Sequence, residues 1–379
     1  MLYNWIIAGG LIAFTLNILL NFWALKRPRS DSKLPKEPPL VSILIPTRDE
    51  EDNIEACLKS LQNQDYPNFE IIVLDDSRND DTFNVVQRIA AADERISLFR
   101  SEPLPEGWVG KPFGCYQLAQ KAKGSWLLFV DADTVHEPHM LRSVMAMAIK
   151  SKPGMLSGFP RQLASSWPQK IAIPVLYFVI LSWFPLWWLQ RSRKPKSALA
   201  VGQFLLFPKE AYWRIGGHKA VKARILEDVW LGVEITRHGG RHITIDLTPV
   251  VSCNMYRTVG EMWDGFVRWM YSVATLSRVA LVLMIVAGYL FFLAPFYWLW
   301  RELFVVSAAT GWETILIFSQ VALIIAMRWL VDVRLRNWLI SSFLHPIGFA
   351  FLVLTCIYGI SLRVIGAGIR WKNRLYSEA

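Results

Sequence analysis

"VSILIPTRDEEDNIEACLKSLQNQDYPNFEIIVLDD", residues 41–76, decides the fold. A β-branched run, "VSILIP", is followed by a helix-period stretch near 52–63 and then by a second β-branched run, "EIIVLD". The pattern continues outward with "ISLFR" at 96–100 and "WLLFVD" at 126–131, with helical periodicity near 81–92 and again near 137–150. Strand, helix, strand repetition predicts an α/β domain built on a parallel sheet with right-handed crossovers. Such sheets bind ligands where the carboxyl ends of their strands open into a crevice. Carboxylates stand at those ends: Asp75 and Asp76 after the second run, Asp131 and Asp133 after the fourth. Neither G-x-G-x-x-G nor G-x-x-x-x-G-K-[ST] follows the first strand, which argues against nicotinamide enzymes and P-loop NTPases.

Three further motifs carry chemistry. In "LFVDADTVHEP" (128–138), alternate residues at a strand end put two carboxylates on one side, where Mg2+ or Mn2+ takes one or two protein oxygens and completes its shell with phosphate. "EGWVGKPFGCYQLA" (106–119) places Lys111 at the start of a helical run behind Gly107 and Gly110, suited to a close phosphate but equally to a tight turn. "GGHKAVKARILEDVWLGVEITRHGG" (216–240) sets Glu227 and Asp228 at a helix start, where acids complement the helix dipole or serve as a base. Among the histidines, His218 in the glycine turn is the candidate metal ligand; the others read as packing or surface residues.

Of the 379 residues 53% are hydrophobic and 18 are Trp, enough apolar surface to exclude disorder and to suggest lipid contact. The four cysteines lie far apart, so neither a zinc site nor a disulfide framework is expected. Uncharged runs cover Met1–Leu25, Ile171–Gln190, Val279–Trp300, Thr314–Met327 and Asn337–Leu362. The expected organisation is an N-terminal transmembrane anchor (1–25), a basic linker (26–40), a cytosolic domain (41–270) and a membrane region (271–379) with about three transmembrane helices and a basic tail. Lys26, Arg27, Arg29 and Lys33 place the linker on the cytoplasmic side. Residues 168–190 are broken by Pro174 and Pro185 and flanked by Lys170, Arg191, Arg193, Lys194 and Lys196. They read as an interfacial or re-entrant segment in the headgroup layer, because a crossing would separate Asp133 from Asp228. Basic residues from Arg191 to Lys196 are expected to meet lipid phosphates. Three late spans would leave the basic tail outside, so either the last segment, with His345 and Pro346, is re-entrant or the positive-inside tendency fails.

With "VSILIPTRDEEDNIEACLKSL", "IIVLDDSRNDDT", D-A-D and E-D-V-W-L-G in this order, the chain resembles the family 2 glycosyltransferases, whose nucleotide-sugar-binding fold is of GT-A type. "GWVGKPFGCYQLA", "GGHKAV", the late "HP" and the terminal "WKNRLY" make it look like the membrane-bound lipid glycosyltransferases, such as those acting on ceramide, carotenoids and hopanoids. The resemblance covers nearly the whole chain. It implies that Pro46, Thr47 and Glu50 line a nucleoside pocket, that Asp76 bonds the base, that Lys111 approaches the diphosphate, Asp131 the ribose and Asp133 the metal. Asp228 would be the general base, and Arg268 with Trp269 would match the end of a Q/R-x-x-R-W motif. Gly265 stands where Gln or Arg is expected, and Asp49 where Asn is usual.

The implied reaction is inverting transfer of a hexose from a UDP-sugar to the hydroxyl of a membrane lipid, a carotenoid or related isoprenoid being preferred over polyprenyl phosphate, ceramide or diacylglycerol. A non-catalytic scaffold would need none of the ordered acids. The net charge of +10 invites a nucleic-acid reading, but residues 41–160 hold 12 basic and 18 acidic side chains while 161–270 hold 15 and 7. The α/β half would repel a phosphate backbone, and the basic excess follows the membrane segments instead.

Overall fold

The computed structural model describes residues 2–376 apart from 79, 193, 195–197, 277, 306–310 and 372–373. An apolar helix, α1 (Leu2–Ala24), leads into β1 (Val41–Thr47), α2 (Ile54–Gln62), β2 (Phe69–Asp75), α3 (Thr82–Ala90), β3 (Ile96–Arg100), α4 (Gly110–Lys121) and β4 (Trp126–Val130). β5 (Thr134–His136), α5 (Met140–Ser151), β6 (Met155–Phe159) and β7 (Arg161–Gln162) follow, and the β-branched and helix-period stretches thus fold as their periodicity predicts. β1 lies parallel between β2 and β4, with Thr47 opposite Asp75, so the carboxyl ends of these strands open at one edge. Alternation sends Ile43, Ile45 and Val73 to the core under α2 and α5, and Leu44, Leu74 and Phe129 to the core under α4.

The sheet is not parallel throughout. Its seven strands run in the order β3-β2-β1-β4-β8-β6-β9, and β8 (Phe204–Pro208) is antiparallel to both β4 and β6, while β9 (His242–Asp246) is parallel to β6. The reason lies in the intervening chain. It leaves the sheet after β7, passes through α6 (Trp167–Trp183) and the short α7 (Leu186–Leu189), and returns in the opposite sense. α8 (Lys209–Arg214), α9 (Glu227–Arg237) and β10 (Val251–Cys253) complete the domain, β10 joining β5 and β7 in a small second sheet.

α6 does not lie open on a surface. Ala172, Ile173, Val175 and Tyr177–Leu181 are buried in a core shared with α1 and with the later helices α13 (Trp312–Leu335) and α14 (His345–Val364). Gln169 at its start donates to the Tyr256 carbonyl (2.9 Å), and Gln190 beyond its end donates to the Thr244 carbonyl (3.0 Å), so both ends are tied to the sheet domain. Pro185 stops the helix, and the carbonyls of Leu181, Ser182 and Phe184 accept from the amides of Asn17 and Asn21. A helix end buried among apolar groups needs such partners.

The remaining elements are α10 (Val259–Leu276), α11 (Arg278–Gly288), α12 (Ala294–Phe304) and the strand pair β11 (Ile369–Trp371) and β12 (Arg374–Tyr376). A π-helical turn, Tyr289–Leu293, joins α11 to α12 just before Pro295, whose missing N–H and ring disturb the preceding turn. Four helical stretches are long and apolar enough to cross a membrane: Leu2–Ala24, Leu281–Phe304, Trp312–Leu335 and His345–Val364. α14 packs along α10 and across α6. Its Gly359 faces the backbone of Val267 and Tyr271, and its Gly348 faces the Ile171 carbonyl, where a Cβ would stand 2.7 Å from the oxygen. Of the basic stretch Arg191–Lys196, residues 193, 195 and 196 lie outside the described set, as do Lys372 and Asn373 of "WKNRLY"; Arg191 stacks over the Trp23 ring at 4.8 Å.

Candidate active site

One cavity of about 650 Å3 opens at the carboxyl ends of β1, β2 and β4 and is lined by Pro46, Thr47, Glu50, Asp76, Lys111, Asp131, Asp133, Asp228, Arg268 and Trp269, the residues to which the resemblance assigns a role; His218 and Asp75 stand outside it. The fold brings them there by different routes. β1 ends in Pro46 and Thr47, Lys111 sits in the first turn of α4, Asp131 and Asp133 follow β4, Asp228 opens α9, and Arg268 and Trp269 lie on α10.

At the β1–β2 end, Thr47 Oγ1 donates to the buried Asp75 carboxylate (3.1 Å), and Ser77 caps the same oxygen at 2.6 Å. Asp75 is therefore structural, while Asp76 reaches the cavity and accepts a bond from Arg48 Nη1 at 2.7 Å. Asp49 has φ of 53°, a left-handed backbone that Asp and Asn tolerate better than other side chains; its departure from the expected Asn keeps that turn.

The catalytic end is crowded with acid. Lys111 Nζ lies 2.7 Å from Asp131 and 3.5 Å from Glu227, and approaches the Gly202 carbonyl at 3.4 Å. Burial works against its charge, but Asp131 and Glu227 outweigh that and hold the ammonium above its ordinary range. Lys111, expected at the diphosphate, thus sits in an ion-pair cage of Asp131 and Glu227. Burial, reinforced by the Asp131 charge, pushes the Asp133 carboxyl up to about 7, and Glu227 is pushed up to about 7 by burial against the pull of Lys111. Asp228 is likewise raised by burial, opposed by the Val229 amide that donates to it at 2.8 Å.

Asp133 Oδ1 is buried with no hydrogen-bond partner. Among the described residues no three His, Cys, Asp or Glu side chains converge as a metal cage. That donor set fits a hard divalent cation held by one carboxylate and completed by ligand oxygens, the habit of Mg2+ and Mn2+. It does not fit zinc. His218 is not a ligand here: it is buried outside the cavity, its Nδ1 sharing a hydrogen bond with the Tyr212 hydroxyl (2.8 Å), and burial lowers it to about 3, leaving it neutral.

Sequence reasoning placed Glu227 at a helix start without its partner and passed over Tyr256. Glu227 is the second partner of Lys111, and Tyr256 fills the space left at Gly265, where an added Cβ would fall 2.7 Å from Cζ and closer still to Cε1 and the hydroxyl. The departure at Gly265 was the one sequence signal pointing to Tyr256. Beyond the acids the cavity becomes apolar, walled by Phe159, Leu176, Tyr177 and Ile180 from β6 and α6, and by Leu199, Met255 and Phe266.

Parallel-core sheet, acid-lined crevice and flanking apolar helices together define a GT-A type glycosyltransferase fold. The model of Glycosyl transferase family 21 matches residues 5–377, and the chain belongs to that family. A 4,4'-diaponeurosporenoate glycosyltransferase of Staphylococcus haemolyticus is 26% identical over 199 residues, 52% of each chain. A GalNAc(5)-diNAcBac-PP-undecaprenol beta-1,3-glucosyltransferase of Campylobacter jejuni is 38% identical over 96 residues, 25% of this chain and 30% of that one. The matches thus span about half or less of the length of these relatives. The mannosyltransferase PcManGT of Pyrobaculum calidifontis, solved with GDP-Man and Mn2+, aligns with a TM-score of 0.53 over 94% of this chain and 99% of that one, at 17% identity, and shares its fold.

Proposed function

We propose that the protein is an inverting glycosyltransferase that moves a hexose from a UDP-sugar to the hydroxyl of a membrane lipid, with a carotenoid or related isoprenoid as the acceptor class. One observation carries the reading: a single cavity joins a carboxylate-rich end, with the orphaned Asp133 oxygen, to an apolar arm along α6, and Asp228 lines the same space. The names of the Staphylococcus and Campylobacter relatives, a carotenoid-derived acid and an undecaprenol-linked sugar, support a lipid-linked acceptor.

In this mechanism Thr47, Pro46 and Glu50 wall the nucleoside, and Asp76 exchanges Arg48 for the base. A Mg2+ or Mn2+ bound at Asp133 would supply charge stabilisation to the departing diphosphate. Lys111 turns from Asp131 toward the same anion, and Asp131 is released to the ribose. Asp228, ionised and within reach of the acceptor hydroxyl, takes its proton as the oxygen attacks the anomeric carbon on the face opposite the diphosphate, so configuration inverts. Raised basicity suits Asp228 to this task.

The catalytic domain faces the cytoplasm. α1, the pair α11–α12 and α13 cross, and the unbroken α14, packed on α10 and α6, stays on the catalytic side with the basic tail. Sealed inside-out vesicles test function and orientation together: externally added UDP-hexose should label an isoprenoid lipid without detergent, and a tag after Ala379 should be open to protease. Asp228→Asn should lower transfer by about 1,000-fold, a base contribution of 10²–10⁴ being usual. Near-normal transfer by that variant would sink the base assignment and favour a polyprenyl phosphate acceptor, already an anion. A latent activity appearing only after permeabilisation would overturn the orientation.

A further inference from the structure

Tyr256 is a buried cavity residue whose hydroxyl packs against Gly265. Its residue is 9% exposed and lines the cavity, its carbonyl accepts from Gln169, and its ring tilts against Phe266 at 6.2 Å. Among the described residues no group hydrogen-bonds its hydroxyl. The residue lines the cavity, so its hydroxyl is a donor for an acceptor that a ligand brings there.

The surroundings say what kind of ligand. Arg268 projects from the same α10 that carries Gly265 and is one of the charges felt by the Tyr256 hydroxyl; Asp133 is another. Two residues before Tyr256, the Asn254 amide donates to the Asp133 carbonyl (2.9 Å), which ties the Tyr256 loop to the carboxylate with the orphaned oxygen. Arg268, Asp133 and Tyr256 line the same cavity, where the guanidinium and a cation held at Asp133 would favour an anion. Gly265 makes the arrangement possible, since any Cβ there would collide with the Tyr256 ring and hydroxyl.

Resting on the nucleotide-sugar reading above, we propose that the Tyr256 hydroxyl donates a hydrogen bond to the diphosphate of the donor, from a space that Gly265 keeps open. Tyr256 is thereby a binding residue for the leaving group, and Gly265 a positioning residue that acts through it. A neutral donor on a charged oxygen gives one of the stronger classes of hydrogen bond, so its loss should weaken diphosphate binding by about 10- to 100-fold.

The test uses the full chain in detergent and compares calorimetric binding of UDP and of uridine, both with Mn2+ present. Tyr256→Phe should bind uridine as the unaltered protein does but UDP at least about tenfold more weakly. Gly265→Ala should lose the same UDP preference in the unaltered background and lose nothing further when combined with Tyr256→Phe, because the hydroxyl is already gone. A Tyr256→Phe protein that keeps the full preference for UDP over uridine overturns the inference while leaving the nucleotide-sugar reading intact. An unaltered protein that binds neither ligand overturns both. Equal losses of UDP and uridine in Gly265→Ala would show general damage to the cavity and remove Gly265 from the proposal.

Discussion

Two clusters of charge are buried in this molecule, and they are built to opposite rules. In the membrane half, Arg328 and Asp332 on α13 are both fully buried and 3.3 Å apart; Ser341 and Ser342 each donate to Asp332 at 2.9 Å, Asn337 at 3.1 Å, and Arg328 donates to Ser341. One positive and one negative group cancel, and hydroxyls and an amide take up the remaining carboxylate lone pairs, so the charge is balanced although Arg328 Nε has no partner. At the end of the sheet, Asp131, Asp133, Glu227 and Asp228 gather around Lys111, and Asp133 keeps an unpartnered oxygen. Burial of that much uncancelled negative charge is unfavourable in the free protein. A closed cluster marks a structural joint, and an open one marks a place where cations and ligand charge complete the balance.

The difference is broken most sharply by neutralising one member of each cluster. Asp133→Asn removes the charge that would hold the metal but also a buried carboxylate with an unpartnered oxygen. Turnover should fall by about 100- to 1,000-fold, and Mn2+ should no longer strengthen UDP binding, while the melting temperature stays level or rises. A variant that still binds UDP in a Mn2+-dependent way would show that the metal is held elsewhere.

These clusters were not equally legible. Asp131 and Asp133 could be read as a site because an apolar strand precedes them and the strand–helix rhythm says where its end points. Lys111 was legible as a phosphate-binding group but not as a resident of the Asp131–Glu227 cage, since that contact joins residues far apart in the chain. The antiparallel β8 was hidden for the same kind of reason: its apolar run carries no record of direction, which the α6 excursion decides. α6 itself illustrates the limit of hydropathy. A 20-residue apolar stretch looks alike on a surface, across a membrane or inside a helix bundle. Contacts distant in sequence distinguish them, among them the amides of Asn17 and Asn21, more than 150 residues earlier. Tyr256 had no motif of its own, and its sign was an absence at Gly265.

Asp332→Ala approaches the comparison from the closed side. It leaves Arg328 buried without its counter-charge, and a loss of about 3–5 kcal/mol of stability is expected, seen as a lower melting temperature and poor recovery from membranes. Replacing both partners, Arg328→Met with Asp332→Leu, should cost less than the single change, because no lone charge remains. UDP affinity per folded molecule should be unaffected in both. A double variant worse than the single one would mean that the hydroxyls of Ser341 and Ser342, and not the charge pair, hold this joint.

The smallest effect is expected where the two halves meet. Asp246, at the end of β9, is fully buried; Arg27 Nε donates to it at 2.7 Å, Thr248 caps its other oxygen at 2.6 Å, and Arg334 of α13 places Nε 3.0 Å away. Arg27 also donates to the Arg334 carbonyl, and Arg334 Nη2 to the Leu25 carbonyl at 2.6 Å, so two arginines lace the ends of α1 and α13 to the sheet. Because Arg27 is 35% exposed, water screens its pair and Arg334 still covers the Asp246 charge after its removal. Arg27→Ala should therefore cost no more than about 1 kcal/mol of stability and leave UDP binding unchanged. A loss as large as that of Asp332→Ala would place this junction among the closed clusters and make the sheet and the membrane helices one cooperative unit; a loss near the expected value leaves Arg334 as the group that holds them together.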